Sequence, residues 1–198
     1  MIEIGPDVRG LIFDCDGTLA DSMPLHMEAW EKAFVEFGEP YRPDFLDALR
    51  GMREEEIVAL YNERYERNLD PRAVVDGKHA HFKKRVHLIE PVEPVVEVVN
   101  RFHEKLPMAV VSGGRRETVV LTLKGLGIEH CFPVVLTADD PIAPKPAPDL
   151  FLEAARRIAV APERCHVFED GHMGLDAARL AGMTATDVRD LGFEGDRP

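Results

Sequence analysis

Acidic residues directly follow short apolar runs in two separate parts of the sequence. One run leads into Asp14-Cys15-Asp16-Gly17-Thr18, another leads into Glu169-Asp170-Gly171, and a third ends in Ser112-Gly113-Gly114. If these segments meet in space, four carboxylates share one small volume, where like charges repel and favour protonation unless a cation intervenes. Hard oxygen ligands of this type suit Mg²⁺. We therefore expect these carboxylates to form a magnesium site.

Asp14 and Asp16 can perform separate steps of one reaction. A carboxylate nucleophile that forms an acyl-phosphate divides hydrolysis into two easier steps. A carboxylic acid beside it can protonate the leaving alkoxide and later deprotonate water. Side chains two apart on an extended strand point the same way, so Cys15 between them is expected to point into the core as a packing thiol. The alternative is that the two aspartates only cap a loop or surface turn.

The apolar runs are short, continuous and separated by amphipathic stretches, which is the pattern of parallel strands covered by helices on both faces. In an open parallel sheet the carboxyl ends of neighbouring strands border one crevice, so residues far apart in sequence can meet there. The sequence therefore predicts an α/β fold. The predicted strands are 11–13, 108–111, 133–136, 165–168 and a last short strand within 183–188, and the predicted helices include 117–124 and 149–158.

Residues 22–90 lack a strand-like run and show only helical periodicity. Apolar side chains recur there at i, i+3 and i+4 spacing, as in helices with one buried face. These side chains are Leu25, Ala29, Ala33, Phe37, Leu46, Leu49, Ile57 and Leu60. The prolines within 91–94 suit a stiff return of the chain. We predict an all-helical domain at 21–93, inserted into an α/β core formed by 1–20 and 94–198.

The polar motifs together resemble the haloacid dehalogenase superfamily, whose members are mostly aspartate-nucleophile phosphatases and phosphomutases. Its first motif, DxDGT, matches residues 14–18, and its second, a Ser or Thr after an apolar strand, matches Ser112. Its third, a Lys before a helix, matches Lys145, and its acidic fourth matches Glu169-Asp170. The family fold is a Rossmann-like core with a movable cap, so the resemblance implies that residues 21–93 are a helical cap.

Further segments resemble the β-phosphoglucomutase-like branch, which includes sugar phosphatases such as fructose-1-phosphatase-like enzymes as well as true mutases. They are Asp21-Ser22-Met23-Pro24-Leu25-His26 with Ala29-Trp30, Lys145-Pro146-Ala147-Pro148-Asp149, and Glu169-Asp170-Gly171 with Gly174 and Ala177-Ala178.

The resemblance implies a role for each acidic residue. Asp14 would be the nucleophile, and Asp16 would act first as an acid and then as a base. Mg²⁺ would be held by Asp14, the main-chain carbonyl of Asp16 and Asp170, with Glu169 assisting.

Ser112 and Lys145 would hold the transferring phosphoryl group in the same scheme. Phosphoryl transfer mainly needs positioning and positive charge, which Lys145 and Mg²⁺ supply. Main-chain N–H groups at Gly17, Gly113 and Gly114 can approach phosphate oxygens because no Cβ obstructs them. Segment 112–114 is also predicted to open a helix, whose N-terminus would favour an anion. The glycine pair could equally be a plain turn.

Two residues of the predicted cap could reach the substrate. The resemblance places His26 at the mouth of the crevice, able to touch Asp16 or a substrate hydroxyl, and a solvated histidine is the alternative. Arg53, in the segment 50–53, could grip a phosphate or hydroxyls bidentately, although a charged turn gives the same string. Lys83-Lys84 is ambiguous in the same way, because basic pairs on helices usually face solvent. The remaining histidines show no spacing that forms a metal site and are predicted as surface or core residues; they are His79, His81, His87, His103, His130, His166 and His172.

The composition of the chain limits the classes of partner that it is expected to bind. The 198 residues include 24 Lys+Arg and 36 Asp+Glu, a formal net charge of −12, and such a chain repels phosphate backbones, so nucleic acid is not expected as a partner. Three cysteines without a CxxC pair, and no apolar stretch long enough to span a bilayer, predict reduced thiols, a cytoplasmic location and no membrane partner. We expect a monomer or weak homodimer that binds a small phosphorylated metabolite.

The sequence thus predicts a Mg²⁺-dependent phosphatase that acts on a small sugar phosphate through an aspartyl-phosphate on Asp14. The alternative is a β-phosphoglucomutase-like mutase, in which a sugar hydroxyl rather than water attacks the phosphoenzyme. A third possibility is a catalytically silent regulator that binds metal or phosphate. The complete set of motif residues argues against it, because a silent relative needs no acid or base.

Overall fold

Two compact units make up the chain. The computed structural model describes residues 2–49 and 52–192. Met1–Asp21 and Glu90–Pro198 together form the first unit, and Ser22–Ile89 forms the second. The second unit is therefore an insertion in the chain of the first.

The elements of the described residues are as follows. The strands are β1 (Gly10–Phe13), β2 (Ala20–Asp21), β3 (Glu90–Pro91), β4 (Met108–Val111), β5 (Val134–Leu136), β6 (Cys165–Glu169) and β7 (Thr184–Asp187). The α-helices are α1 (Met23–Glu36), α2 (Pro43–Asp47), α3 (Glu54–Tyr65), α4 (Pro71–Arg85), α5 (Glu93–Phe102), α6 (Arg116–Gly125), α7 (Asp149–Arg157) and α8 (His172–Leu180). None of these helices has both the length and the apolar character needed to cross a membrane.

The boundaries of the second unit differ by a few residues from the expected domain limits of 21 and 93. The reason is a short antiparallel pair of strands, β2 and β3, in which Ala20 lies opposite Pro91 and Asp21 opposite Glu90. This pairing joins the two chain segments at the base of the insertion, so both strands belong to the first unit.

One parallel sheet forms the centre of the first unit. Its strand order is β5-β4-β1-β6-β7, and each neighbouring pair is parallel. β1 is central, with β4 on one side and β6 on the other, so the direction of winding reverses at β1. The carboxyl ends of these three strands therefore border the crevice in which open α/β sheets bind ligands. The predicted α/β fold with a parallel sheet and an inserted helical segment is confirmed.

Burial on both faces explains the continuous apolar runs in the strands. Leu11, Ile12 and Phe13 of β1 have no exposed surface. Leu11 and Phe13 join one hydrophobic cluster and Ile12 joins the other, because successive side chains of a strand point to opposite faces. Phe13 stacks on Phe168 of β6 with ring centroids 5.0 Å apart.

The second unit is helical, as the periodicity predicts, and has its own core. That core contains Trp30, Ala33, Phe34, Phe45, Leu46, Ile57, Val58, Tyr61, Val74 and Val75. Phe37, expected in the buried stripe, is instead 38% exposed. The reason is that α1 ends at Glu36, and Gly38 then takes a φ of +76° that turns the chain.

A charged cluster lies inside the second unit. Lys78 of α4 is only 1% exposed, and its ammonium lies 2.5 Å from Glu54 Oε1. The same ammonium donates to Nδ1 of His26 at 2.8 Å, because a lysine ammonium has no acceptor. The ring of His79 lies 2.5 Å from the other carboxylate oxygen of Glu54. Burial by itself would raise the pKa of Glu54, but Lys78 and His79 outweigh it and hold this pKa well below its usual range.

The first prediction concerns this cluster. Glu54→Ala leaves the Lys78 ammonium buried without its carboxylate and should lower the free energy of unfolding by roughly 2–4 kcal/mol, near the lower side of the range for a broken buried pair because Glu54 keeps some contact with solvent. The matched control is Glu28→Ala on α1. Glu28 pairs with Lys32 and Arg85, which are both about two-fifths exposed, so its loss should cost about 1 kcal/mol or less. Urea unfolding of the full chain measures both changes.

The sign of the pH dependence follows from the lowered pKa of Glu54. Its contribution to stability is complete above the pKa of an ordinary glutamate, about 4.3, and is lost as the pH falls through the lower pKa of the folded state. The difference between wild type and Glu54→Ala should therefore be largest near neutrality and shrink below about pH 4. A difference that grows on acidification would contradict this assignment.

Candidate active site

The carboxyl ends of β1 and β6 bring three acidic side chains together. The main-chain N–H of Asp14 donates to the carbonyl of Phe168 at 3.0 Å, which continues the pairing of the two strands one residue beyond β1. Carboxylate oxygens of Asp14, Glu169 and Asp170 all lie within 4.8 Å of one another. Asp14 and Glu169 are 6% and 3% exposed, so solvent screens their charges only weakly.

Lys145 lies between β5 and α7, and its ammonium joins two of these carboxylates. Nζ donates to Asp14 Oδ1 at 2.7 Å and to Glu169 Oε2 at 2.6 Å. It also donates to the main-chain carbonyl of Val111 at 3.1 Å. These bonds account for the three donors of an ammonium group. Because Val111 ends β4, Lys145 ties together the tips of β1, β4 and β6.

Burial and mutual repulsion control the protonation of this cluster. Burial, followed by the charge of Glu169, raises the pKa of Asp14 well above its usual range, although Lys145 opposes the shift. The same two causes raise the pKa of Asp170 to about 6. Burial works to lower the pKa of Lys145, but the charges of Asp14 and Glu169 outweigh it and raise this pKa. Three carboxylates thus face one ammonium, and a divalent cation fits such an excess of negative charge on oxygen ligands.

Asp16 reaches the loop that carries Ser112. Ser112 is 1% exposed, its N–H donates to the carbonyl of Leu136 at 2.9 Å, and its Oγ accepts from the N–H of Gly114 at 3.0 Å. A Cβ on Gly114 would lie 3.5 Å from Asp16 Oδ2. The predicted acid/base and the predicted phosphoryl-binding serine therefore lie near the same loop.

The loop 112–114 precedes α6 but does not open it, which corrects the prediction. The helix begins at Arg116, with Arg115 as its N-cap residue. The Ser112 hydroxyl holds Gly114 in a local turn, and the N–H of Arg116 donates to Asp139 Oδ2 at 2.8 Å. Gly113 is exposed, and a Cβ placed on it would have no neighbour within 4 Å among the described atoms. Its main chain therefore has room beside it for an anion.

Three residues that were not predicted to contact the acidic side chains support them. The Thr18 hydroxyl donates to Asp170 Oδ1 at 2.9 Å. Gly17 has a φ of +89°, and a Cβ there would overlap the carboxylate of Asp170. A Cβ on Gly174 of α8 would overlap the carboxylate of Glu169. Gly17 and Thr18 belong to the DxDGT match, and Gly174 belongs to a segment that carries the branch resemblance. The motifs therefore mark these positions in the sequence, but they do not show which side chains these residues contact.

Cys15 is completely buried between the two aspartates in sequence and belongs to a hydrophobic cluster of the sheet. Burial, and then the charges of Asp16 and Asp14, raises the pKa of its thiol well above the usual value. Such a thiol stays protonated and packs as an apolar group, which is the predicted behaviour.

His26 and Arg53 lie in the second unit. His26 stacks on Phe82 with ring centroids 4.2 Å apart and accepts from the buried Lys78, so it is not a simple solvated histidine. Arg53 is the exposed N-cap residue of α3. Residues 50–51 of the same predicted loop lie outside the described residues. The substrate contacts of His26 and Arg53 remain predictions.

The family description haloacid dehalogenase-like hydrolase matches residues 11–188. The chain therefore belongs to the haloacid dehalogenase-like hydrolase family, and the resemblance inferred from the motifs is confirmed. The match spans both units, so the helical insertion belongs to the family pattern as well.

Individual relatives agree with this assignment. Fructose-1-phosphate phosphatase YqaB of Escherichia coli (strain K12) is 41% identical over 182 residues, which cover 91% of this chain and 96% of the relative. Beta-phosphoglucomutase of Bacillus subtilis (strain 168) is 26% identical over 191 residues, covering 91% and 83%. The structure of CbbY from Rhodobacter sphaeroides in complex with phosphate superposes with a TM-score of 0.79 at 23% identity, over 90% of this chain and 84% of that chain, which supports the fold. One of these relatives is a phosphatase, which agrees with the prediction that this chain is a phosphoric monoester hydrolase.

The second prediction compares two helical glycines. Gly174→Ala should lower the free energy of unfolding by roughly 1–3 kcal/mol, because the added methyl group displaces the buried carboxylate of Glu169. Gly77→Ala on α4 is the matched control. Its Cβ would meet only ordinary contacts, 3.7 Å from Glu36 Oε2 and 3.8 Å from the ring of Phe37, so the better helix propensity of alanine should stabilise the protein by up to about 1 kcal/mol. Urea unfolding tests the opposite signs, and a Gly174→Ala variant as stable as the wild type, or more stable, would refute the crowding around Glu169.

Proposed function

We propose that this chain is a Mg²⁺-dependent phosphatase that hydrolyses a small sugar phosphate through an aspartyl-phosphate on Asp14. The observation that carries the proposal is the junction at the tips of β1, β4 and β6, where Lys145 bonds both Asp14 and Glu169. The similarity to fructose-1-phosphate phosphatase YqaB of E. coli supports a ketose 1-phosphate as substrate.

The acidic cluster is the proposed metal site. Asp14 and Asp170 would bind Mg²⁺ with the main-chain carbonyl of Asp16, and Glu169 would assist. The proximity of the three carboxylates and the raised pKa values of Asp14 and Asp170 support this donor set, because ionised carboxylates so close together need more positive charge than Lys145 supplies. When bound, Mg²⁺ supplies positive charge that favours ionised Asp14 and stabilises the phosphoryl oxygens.

Asp14 acts as the nucleophile in the proposed reaction. One of its carboxylate oxygens forms a bond to phosphorus while the bond from phosphorus to the sugar oxygen breaks. The ammonium of Lys145 orients the carboxylate through its bond to Oδ1, and Ser112 with the main-chain N–H of Gly113 holds the oxygens of the transferring group. The catalytic contribution of these groups is positioning and positive charge, which is what phosphoryl transfer mainly requires.

Asp16 moves the protons. In the first step its carboxylic acid gives a proton to the departing sugar alkoxide, which is a poor leaving group without one. In the second step the resulting carboxylate takes a proton from water, which attacks the aspartyl-phosphate and releases inorganic phosphate. The cycle restores the carboxylate of Asp14 and the protonated form of Asp16. The place of Asp16 beside the loop of Ser112 supports this role.

The alternative function is a phosphomutase, which the similarity to beta-phosphoglucomutase of B. subtilis favours. The chemistry at Asp14 would be the same, but a hydroxyl of a sugar phosphate would attack the aspartyl-phosphate instead of water. His26 and Arg53 of the second unit are the proposed residues for substrate contact in either case. The two functions differ in the fate of the phosphoryl group.

The third prediction separates these functions. Incubation with a panel of hexose and pentose phosphates that includes fructose 1-phosphate should release inorganic phosphate without any bisphosphate primer. EDTA should stop the release and added Mg²⁺ should restore it. Asp14→Asn, which keeps the size of the side chain, should release no phosphate above background while its circular dichroism stays that of the wild type. A product that stays esterified, together with dependence on a bisphosphate, would favour the mutase, and wild-type turnover by Asp14→Asn would refute the mechanism.

The fourth prediction isolates the role of Asp16. A nitrophenolate leaves without a proton, so Asp16→Asn should still transfer the phosphoryl group from p-nitrophenyl phosphate to Asp14. Water would then attack slowly because its base is missing. The variant should therefore give a rapid burst of about one nitrophenolate per enzyme followed by slow turnover, and it should be almost inactive on the sugar phosphate. Equal losses on both substrates, without a burst, would show that Asp16 is not the acid and base.

A further inference from the structure

A second group of metal-ligand side chains lies away from the acidic cluster. One ring nitrogen each of His103 and His130 and the thiol sulfur of Cys131 lie within 4.8 Å of one another. His103 follows the end of α5 and precedes β4, and the 3₁₀ turn Glu129–Cys131 precedes β5. The group therefore lies toward the amino ends of these strands, whereas the acidic cluster lies at the carboxyl ends.

The spacing of the ligand atoms in this group is close to the spacing of ligands around a bound transition metal. Tetrahedral zinc, with bonds of about 2.0 Å to nitrogen and 2.3 Å to sulfur, separates those two ligand atoms by roughly 3.5 Å. Nε2 of His130 lies 3.5 Å from Sγ of Cys131. The two imidazole rings are nearly perpendicular, with centroids 5.8 Å apart. His130 is exposed, so its side chain can move to bring the ligand atoms of the group, which lie within 4.8 Å of one another, closer together.

His103 carries an independent sign of an absent partner. Its Nδ1 is shielded from solvent and has no hydrogen-bond partner within the described part of the chain. Buried polar atoms are normally bonded, because an unpaired one loses its hydration without replacement. A metal ion bound in this group would give Nδ1 a partner, either directly or after the imidazole ring turns. A water that completes the coordination of the ion would do the same.

We propose that His103, His130 and Cys131 form a second metal site that takes Zn²⁺ or a similar thiophilic divalent ion. Imidazole nitrogen and thiolate sulfur are the ligands that zinc prefers, and three protein ligands leave the fourth position to water. Binding breaks the S–H bond of Cys131, forms the metal–sulfur bond and releases one proton to solvent. Mg²⁺ does not compete, because it requires oxygen ligands.

The site would stabilise the fold rather than take part in hydrolysis. Its ligands come from two separate stretches, the end of α5 and the turn before β5, so a bound ion would hold these stretches together. Cys131 also belongs to the hydrophobic cluster on one face of the sheet. An ion that binds the folded form alone raises the melting temperature, by about 5 °C or more at a hundredfold excess over its dissociation constant.

The fifth prediction tests the site with Co²⁺ as a spectroscopic probe of the zinc position, with Mg²⁺ present in excess. One equivalent of Co²⁺ should produce the near-ultraviolet band of a cobalt–thiolate bond together with the intense visible bands of tetrahedral cobalt. Zn²⁺ should bleach these bands and raise the melting temperature. Cys131→Ser should abolish the thiolate band, and His103→Ala and His130→Ala should each weaken Co²⁺ binding at least tenfold. All three variants should keep the wild-type rate of phosphate release.

Matched controls decide the interpretation. Cys165→Ser removes another buried thiol, and His87→Ala removes another exposed histidine, so both should keep the bands and the affinity of the wild type. Circular dichroism verifies folding, and His130→Ala remains a test if the change at the buried Cys131 disturbs the fold. No thiolate band in the wild type would overturn the proposal. A band that survives Cys131→Ser, or binding unaffected by both histidine substitutions, would overturn it as well.

Discussion

The first unit depends on the ion pairs and hydrogen bonds that the ammonium of Lys145 makes. This ammonium lies between two buried carboxylates, those of Asp14 and Glu169, and it also bonds the last carbonyl of β4. Without it, the tips of three adjacent strands would hold only negative and polar groups in a poorly hydrated space. The attraction compensates only part of the effect of burial and of the repulsion by Glu169, since the pKa values of Asp14 and Asp170 remain raised. The site is therefore built for additional positive charge, and this feature connects the fold with phosphate chemistry.

The parallel sheet makes such a junction possible, and small residues preserve it. β1 lies between β4 and β6, so three strand ends that are far apart in the sequence meet at one edge of the sheet. Space around the acidic side chains is limited, because side chains at Gly17 and Gly174 would overlap Asp170 and Glu169. The second unit contains a different buried ion pair. There Lys78 is nearly inaccessible to solvent, and its ammonium is paired with the carboxylate of Glu54.

Several features could be predicted from the sequence because their causes are local. A strand buried on both faces must be apolar throughout, so the run at 11–13 marks β1. An amphipathic helix must repeat its apolar residues at about 3.6-residue spacing, which marks the helices of the second unit. Other features depended on neighbours that the periodicity does not show. Phe37 is exposed because the chain turns at Gly38, and the buried lysine of α4 is Lys78, although the visible basic pair is Lys83-Lys84.

The sequence by itself determined the order of the elements, the α/β class and the residue types available for phosphoryl transfer, because these follow from patterns within short windows and from motifs such as residues 14–18. Only the tertiary structure decided which of these residues touch. The bonds of Lys145, the support of Asp170 by Thr18 and the meeting of His103 with Cys131 all join segments far apart in the chain. Sequence spacing gave no metal site among the histidines, because side chains from separate elements become neighbours only when the strands between them pair in one sheet.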